Sequence, residues 1–320
     1  MARTLVVVGV SGVVPPAAVP VLRAARRVVA DGSVPAALRA ELGAEPAAAD
    51  LDDPADPGED DVLLTAAHDP ADPRHAAADA VVGPPPGAAL LDAVAVMHRL
   101  RSPGGCPWDA EQTHESLLQY LVEECYELYQ AVEDGDRAAL REELGDVLLQ
   151  VLFHARVAQE GAPAFGIDEV AADLVAKLVG RHPHVFAGTE TVDTAERQEH
   201  RWEELKRAEK QRTSSTDGVA TAQPAVALAA KLTSRTARAG LPPDLLPTGP
   251  GAGERLFALA AAVKREGADP EALLRTAARR FAADVRAAET AATAAGLDPH
   301  ALGADDWRRY WPDAGPAPRP

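Results

Sequence analysis

A chain of 320 residues, 47% hydrophobic but only 4% aromatic, can bury two or three cores, and its alanine-rich apolar fraction favours packed helices over a β-sandwich. Two cysteines, Cys106 and Cys125, exclude a disulfide framework, and no run approaches the roughly 18 apolar residues of a membrane span, so a soluble cytoplasmic protein is expected. A net charge of −17 excludes a nonspecific nucleic-acid binder, and a polyanionic ligand would have to be met by metal ions or a few placed cations.

Residues 1–85 alternate apolar runs with Pro-, Ala- and Asp-rich stretches. Segments 5–10 and 62–65 read as buried strands, 17–30 and 34–42 as helices, and the acidic 43–61 as a loop. Pro84-Pro85-Pro86-Gly87 closes this small α/β region. The pattern then predicts helices over 88–101, 114–132, 137–159, 168–181 and 195–212. Ser102-Pro103-Gly104-Gly105 breaks the first of them, Pro107 and Trp108 brace the loop that follows, and Asp109 caps a turn there. Gly135 suits a left-handed helix end, and Asp136 can cap the next helix. Beyond a polar linker at 213–222, helices are predicted at 225–239, 253–266, 271–296 and 305–310, followed by a disordered tail from 313. The fold class is mainly α: a helical domain over 88–212 between a small α/β region and a helical C-terminal part at 223–312.

Two helices of the central part carry carboxylates in the wrong places. In 114–132, Leu117, Leu121 and Leu128 define an apolar stripe, and Glu124 falls inside it with Glu127 one turn on and Glu123 alongside. In 137–159, Leu140, Leu144, Val147 and Val151 form the stripe, Glu143 lies within it, and Asp146 follows at i+3. Gly145 between them leaves room for a helix or a ligand. Carboxylates on core-facing positions repel one another and resist desolvation. A hard divalent cation with oxygen ligands, Mg²⁺ or Mn²⁺, relieves both costs, and the absence of His from the set disfavours zinc. The plain alternative is a solvated acidic face paired with Arg137, Arg141 or Arg156; two carboxylate pairs inside leucine stripes on adjacent helices weigh against it. Lys177 and Arg181, at i and i+4, share a helix face as a two-point phosphate clamp requires. His182 and His184 flank Pro183 without a third ligand and read as a structural turn, while His154 reads as a satisfied core histidine.

The sequence resembles the MazG family of nucleoside triphosphate pyrophosphohydrolases, whose signature is Glu-Glu-x-x-Glu followed by Glu-x-x-Asp. Here these are Glu123-Glu124-Cys125-Tyr126-Glu127 and Glu143-Leu144-Gly145-Asp146. Flanking words also match, among them Gly105-Cys106-Pro107-Trp108-Asp109, Gln112-Thr113-His114-Glu115-Ser116-Leu117 and Lys177 to Phe186, and the resemblance spans about residues 90–210. It implies a four-helix-bundle core and a homodimer that completes the sites. It implies Mg²⁺ ligation by Glu124, Glu127, Glu143 and Asp146, triphosphate contacts from Lys177 and Arg181, and Trp202 at the nucleotide. The implied reaction is NTP + water → NMP + diphosphate, with Glu123 or Glu124 orienting the attacking water. Its expected setting is the clearance of aberrant nucleotides or the control of nucleotide signals. The rivals are a relative specific for phosphoribosyl-ATP, dUTP or dCTP, and a helical module that senses Mg-nucleotide without turnover.

The two ends depart from that pattern. Leu5 to Gly12 resembles the opening strand and Gly loop of a tetrapyrrole methylase-like domain, which some MazG relatives carry fused there. Pro15-Pro16 stands where a helix N-terminus should cradle phosphate, and about 85 residues are too few for that domain, so a non-catalytic remnant is expected. At the other end, 253–264 aligns on 145–156 without gaps, as a decayed second copy of the catalytic unit. It keeps one carboxylate, Glu254, and the apolar positions Leu256, Leu259 and Val263, and is expected to pack rather than to hydrolyse.

Overall fold

A computed structural model describes residues 4–47, 61–66, 73–188 and 213–312, together with Thr194, Arg197, Arg201 and Trp202. Residues Met1–Glu190 form one compact unit and Thr191–Pro320 a second.

The first unit opens with a parallel sheet whose strands are β1 (Thr4–Val7), β2 (Arg27–Ala30), β3 (Glu45–Pro46), β4 (Asp61–Thr65) and β5 (Ala80–Val82). Their spatial order is β3-β2-β4-β1-β5. The central pair β1 and β4 is in register from Thr4 opposite Val62 to Val7 opposite Thr65, and β4 is buried along its whole length. A parallel strand covered on both faces needs an unbroken apolar run, and Val62-Leu63-Leu64 supplies it. Val6, Val8, Val62 and Leu64 face one core with Ala18 and Val34, while Leu5, Val7, Val29 and Leu63 face the other. Helices α1 (Ala18–Ala24), α2 (Ala36–Glu41) and the short α3 (Pro73–Ala77) connect the strands.

Here the structure corrects the sequence reading twice. The helix expected over 17–30 ends at Ala24, and Val28-Val29-Ala30 becomes a strand paired with β4. The expected loop at 43–61 contributes β3 and ends on the first residue of β4. Asp61 is fully buried and is held by Arg26 and Arg27, whose guanidinium nitrogens approach its oxygens to 3.2 Å and 2.9 Å. That pairing ties the start of β4 to the entry of β2 and overrides the helical propensity of the alanines before it.

The helical part begins at α4 (Ala88–Leu100) and continues with α5 (Pro107–Glu111), α6 (His114–Asp134), α7 (Arg137–Ala158), α8 (Ile167–Arg181) and α9 (Pro183–Phe186). Thr113 caps α6, its hydroxyl accepting from the Ser116 N–H while the Ser116 hydroxyl accepts from the Thr113 N–H. Gly135 closes α6 at φ 68°, and the Asp136 carboxylate accepts from the N–H groups of Ala138 and Ala139, both as expected. Asp109 is not the cap expected of it: it lies in the first turn of α5, and Thr113 starts the next helix. The helices α6 and α7 pack along their length, with α4 and α8 against α7. Met97, Leu117, Leu152 and Phe153 form the core between them.

The turn between α4 and α5 is fixed by Arg101. Buried at 8% exposure, it donates to the carbonyls of Asp109 and Gln112, reaches Glu160 at 2.8 Å and lies over the Phe153 ring. A Cβ at Gly105 would meet the Leu100 carbonyl at 2.1 Å, so only glycine fits there. Trp108 packs edge-on against Tyr120 and Phe153, which gives the expected brace a physical form.

The second unit packs α10 (Ala225–Arg238), α11 (Ala252–Arg265) and α12 (Pro270–Ala294), with α13 (Ala304–Tyr310) against α12. Its core runs through alanines, Ala229, Ala230, Ala260, Ala261, Ala288 and Ala292. Leu256 and Leu259, expected to pack, are each 65% exposed, because α11 turns its alanine face inward. The helix expected at 195–212 lies outside the described residues apart from Arg197, Arg201 and Trp202, which are helical, and the tail from 313 lies outside them as well. Among the described residues no helix is long and apolar enough to cross a membrane.

Candidate metal centre

Glu124 and Glu127 are one turn apart on α6, and Glu143 and Asp146 one turn apart on α7, so the packing of the two helices brings the four carboxylates to a common seam. One carboxylate oxygen from each of Glu124, Glu127 and Glu143 lies within 4.8 Å of the other two. Asp146 sits close enough to disfavour the charge of both Glu124 and Glu143. Burial, then Asp146, Glu127, Glu123 and Glu143, raise the proton affinity of Glu124 above the ordinary carboxylate value. Burial, then Glu127, Asp146 and Glu142, do the same to Glu143.

The Glu143 Oε2 atom is buried without a hydrogen-bond partner. Among the described residues, no ion pair involves Glu124, Glu127, Glu143 or Asp146; Arg156, one of the cations considered for an acidic face, pairs instead with Glu160 at 3.0 Å. A buried carboxylate oxygen with neither donor nor cation is costly. Six oxygens at about 2.1 Å from Mg²⁺ stand at most about 4.2 Å apart, close to the spread of the three carboxylates, so this donor set fits a small hard cation.

The apolar stripes that singled out these carboxylates are only partly buried. Leu117 is at 1% exposure, but Leu144 on α7 is at 53% and Val151 at 41%. Among the described residues, none outside the backbone of α7 lies within 4 Å of where a Gly145 Cβ would stand. Among the described residues of the first unit, the carboxylates line a partly open face of the α6–α7 pair rather than a closed core.

Lys177 and Arg181 both lie on α8, but Lys177 is exposed while Arg181 is buried at 5%. Trp202 is half-buried and belongs to the second unit. His182 donates from Nδ1 to the Leu178 carbonyl oxygen at 2.7 Å and opens α9, the structural turn expected. His154 departs from its expected role. It stacks on His114 with 2.8 Å between their Nδ1 atoms, and its Nε2 is buried without a partner, so it is not a satisfied core histidine. Burial and the neighbouring His114 both lower its proton affinity. Spacing within one helix gives no sign of this pair, since the two residues are 40 positions apart.

The profile of the MazG nucleotide pyrophosphohydrolase domain matches residues 112–186, which carry α6 to α9 and all four carboxylates. A nucleoside triphosphate pyrophosphohydrolase of Mycolicibacterium smegmatis is 47% identical over 285 residues, 82% of this chain and 83% of that protein. The chain belongs to the MazG family. A 26.1 kDa protein of Streptomyces cacaoi is 53% identical over 206 residues, 64% of this chain and 84% of its own length. A mazG-related protein of known crystal structure from Thermotoga maritima is 32% identical and aligns over 36% of this chain and 96% of its own, at a TM-score of 0.31. Of the predicted site residues, Glu123, Glu124, Glu127, Glu143, Asp146, Lys177 and Arg181 lie inside the segment matched by the MazG profile, and Trp202 lies outside it. The chain is accordingly a hydrolase of phosphoanhydride bonds.

Proposed function

We propose that the protein hydrolyses nucleoside triphosphates to nucleoside monophosphates and diphosphate at a Mg²⁺ site formed by Glu124, Glu127, Glu143 and Asp146, with Mn²⁺ able to substitute. The observation that carries this reading is the convergence of three unpaired carboxylates on the α6–α7 seam, one with an orphaned buried oxygen. When bound, the ion supplies charge neutralisation at the phosphates and acidifies the attacking water.

The chain's own groups do the rest. Glu123, exposed beside Glu124, takes the proton of the water that attacks the α-phosphorus, and the α–β bridging bond breaks. Lys177, exposed on α8, and Arg181, four residues on, balance the charge gathering on the leaving diphosphate. A homodimer is supported by the apolar side chains exposed on α6, including Leu118 at 54% and Val122 at 52%. The setting is a soluble cytoplasmic one, clearing aberrant nucleotides or lowering nucleotide signals.

The test is diphosphate release from a panel of canonical and modified ribo- and deoxynucleoside triphosphates, with phosphoribosyl-ATP included, with and without Mg²⁺. Release from several triphosphates only with the metal is expected. Binding without release across the whole panel would replace the enzyme with a nucleotide sensor.

A further inference from the structure

One cavity of the second unit gathers charge of the opposite sign. Helix α10 carries no acidic side chain, and its Lys231, Arg235 and Arg238, at i, i+4 and i+7, fall on one face. Lys264, in the last turn of α11, faces the same space. With Gln223, Ser234 and Asp269 these cations line a cavity of about 340 Å³. The Asp269 carboxylate is already engaged, accepting from the N–H groups of Glu271 and Ala272 as the cap of α12. Among the described residues no ion pair holds Lys231, Arg235 or Lys264.

Four cations around one small cavity repel one another, and on a chain of net charge −17 carboxylates to disperse them are plentiful. An anion in the cavity removes that repulsion. Arg235 presents a planar fork that matches two oxygens of a phosphate, the lysines add point charges, and Gln223 and Ser234 add neutral donors. A nucleic acid would instead need a long basic stripe for its regularly spaced phosphates. The cavity suits a compact polyanion.

We propose that this cavity is a non-catalytic site for phosphoanhydrides, either inorganic diphosphate or the phosphate tail of a nucleotide. Only Asp269 offers a carboxylate there, so the site holds the anion without a divalent ion and does not cleave it. It is independent of the reaction proposed for α6 and α7.

The full-length protein is titrated calorimetrically with sodium diphosphate in EDTA, where the acidic seam on α6 and α7 has no metal to attract an anion. One diphosphate per chain is expected. The Lys231→Gln/Arg235→Gln double variant should weaken it by about tenfold or more, Lys264→Gln should weaken it separately, and Lys177→Ala should leave it unchanged. A parallel titration with an α,β-methylene nucleoside triphosphate distinguishes the sources. Tighter binding than diphosphate, lost in the same variants, identifies a nucleotide; equal or weaker binding identifies diphosphate. Undiminished affinity in both Gln variants, loss in Lys177→Ala, or binding of an oligonucleotide but not of diphosphate would overturn the proposal.

Discussion

Glu124 shows how a side chain proposed as a metal ligand weighs on the fold that carries it. Its raised pKa means that the folded metal-free protein binds the proton more tightly than the unfolded chain does. That contribution favours folding in acid and is lost as pH rises through the raised value. Glu124→Gln escapes the loss. In EDTA at pH 7 the variant should therefore unfold about 2 °C above the parent, and the gap should close below about pH 4, measured by thermal unfolding. With Mg²⁺ present the order reverses, since ligand binding stabilises only a parent able to bind it. Turnover of Glu124→Gln within twofold of the parent would remove Glu124 from the metal site. The clamp on α8 is tested most cleanly at Lys177, which is exposed where Arg181 is buried. Lys177→Ala should lower kcat/KM by about tenfold while the unfolding temperature and Mg²⁺ affinity stay put. A change under twofold would make Lys177 an ordinary surface cation.

At the scale of elements, the loop after β1 has a different occupant from the phosphate that such Gly loops can cradle. The Ser11 N–H donates to Asp92 Oδ1 at 2.7 Å, and a Cβ on Gly9, which sits at φ 68°, would stand 2.4 Å from Oδ2. Asp92, buried on α4, thus fills the anion position and fastens the sheet to the helices. Asp92→Ala should cost about 1–3 kcal/mol in urea unfolding, and Gly9→Ala a similar amount through strain and collision. If neither moved the midpoint, the loop would not be a fastening. The long helices of this unit were legible in the sequence, because apolar periodicity, Gly135 and Asp136 are local signals. Strands β2, β3 and β5 were not. Each is four residues or fewer and is defined by its partner, and in β2 by the Arg26 and Arg27 grip on Asp61, more than 30 positions away.

For the whole molecule, the homodimer proposed above would cover apolar side chains exposed on the central helices. Leu118, Val122 and Val132 on α6, Leu144 on α7 and Val175 on α8 are each more than half exposed. Covering side chains of this size is worth on the order of 1 kcal/mol each. Light scattering should give twice the chain mass of 33.5 kDa. Leu118→Glu/Val122→Glu should halve that value and abolish turnover, and a parent that stays monomeric at micromolar concentration would leave the site to one chain.

The sequence by itself determined which of the described long helices form and which carboxylates share a face, because both follow from spacing along one chain. That spacing alone pairs Glu124 with Glu127 and Glu143 with Asp146, and the same residues mark the family. What those helices bury was decided only by tertiary packing. Leu144 and Val151 have the spacing of core residues and lie at the surface, while Gln150 and Arg181 lie inside. The same holds for His154 on His114, for Arg101 under its loop and for Asp92 in the Gly loop, each joining residues with no local relation. Periodicity says which side of a helix is apolar; what that side meets depends on elements distant in the chain or on another molecule.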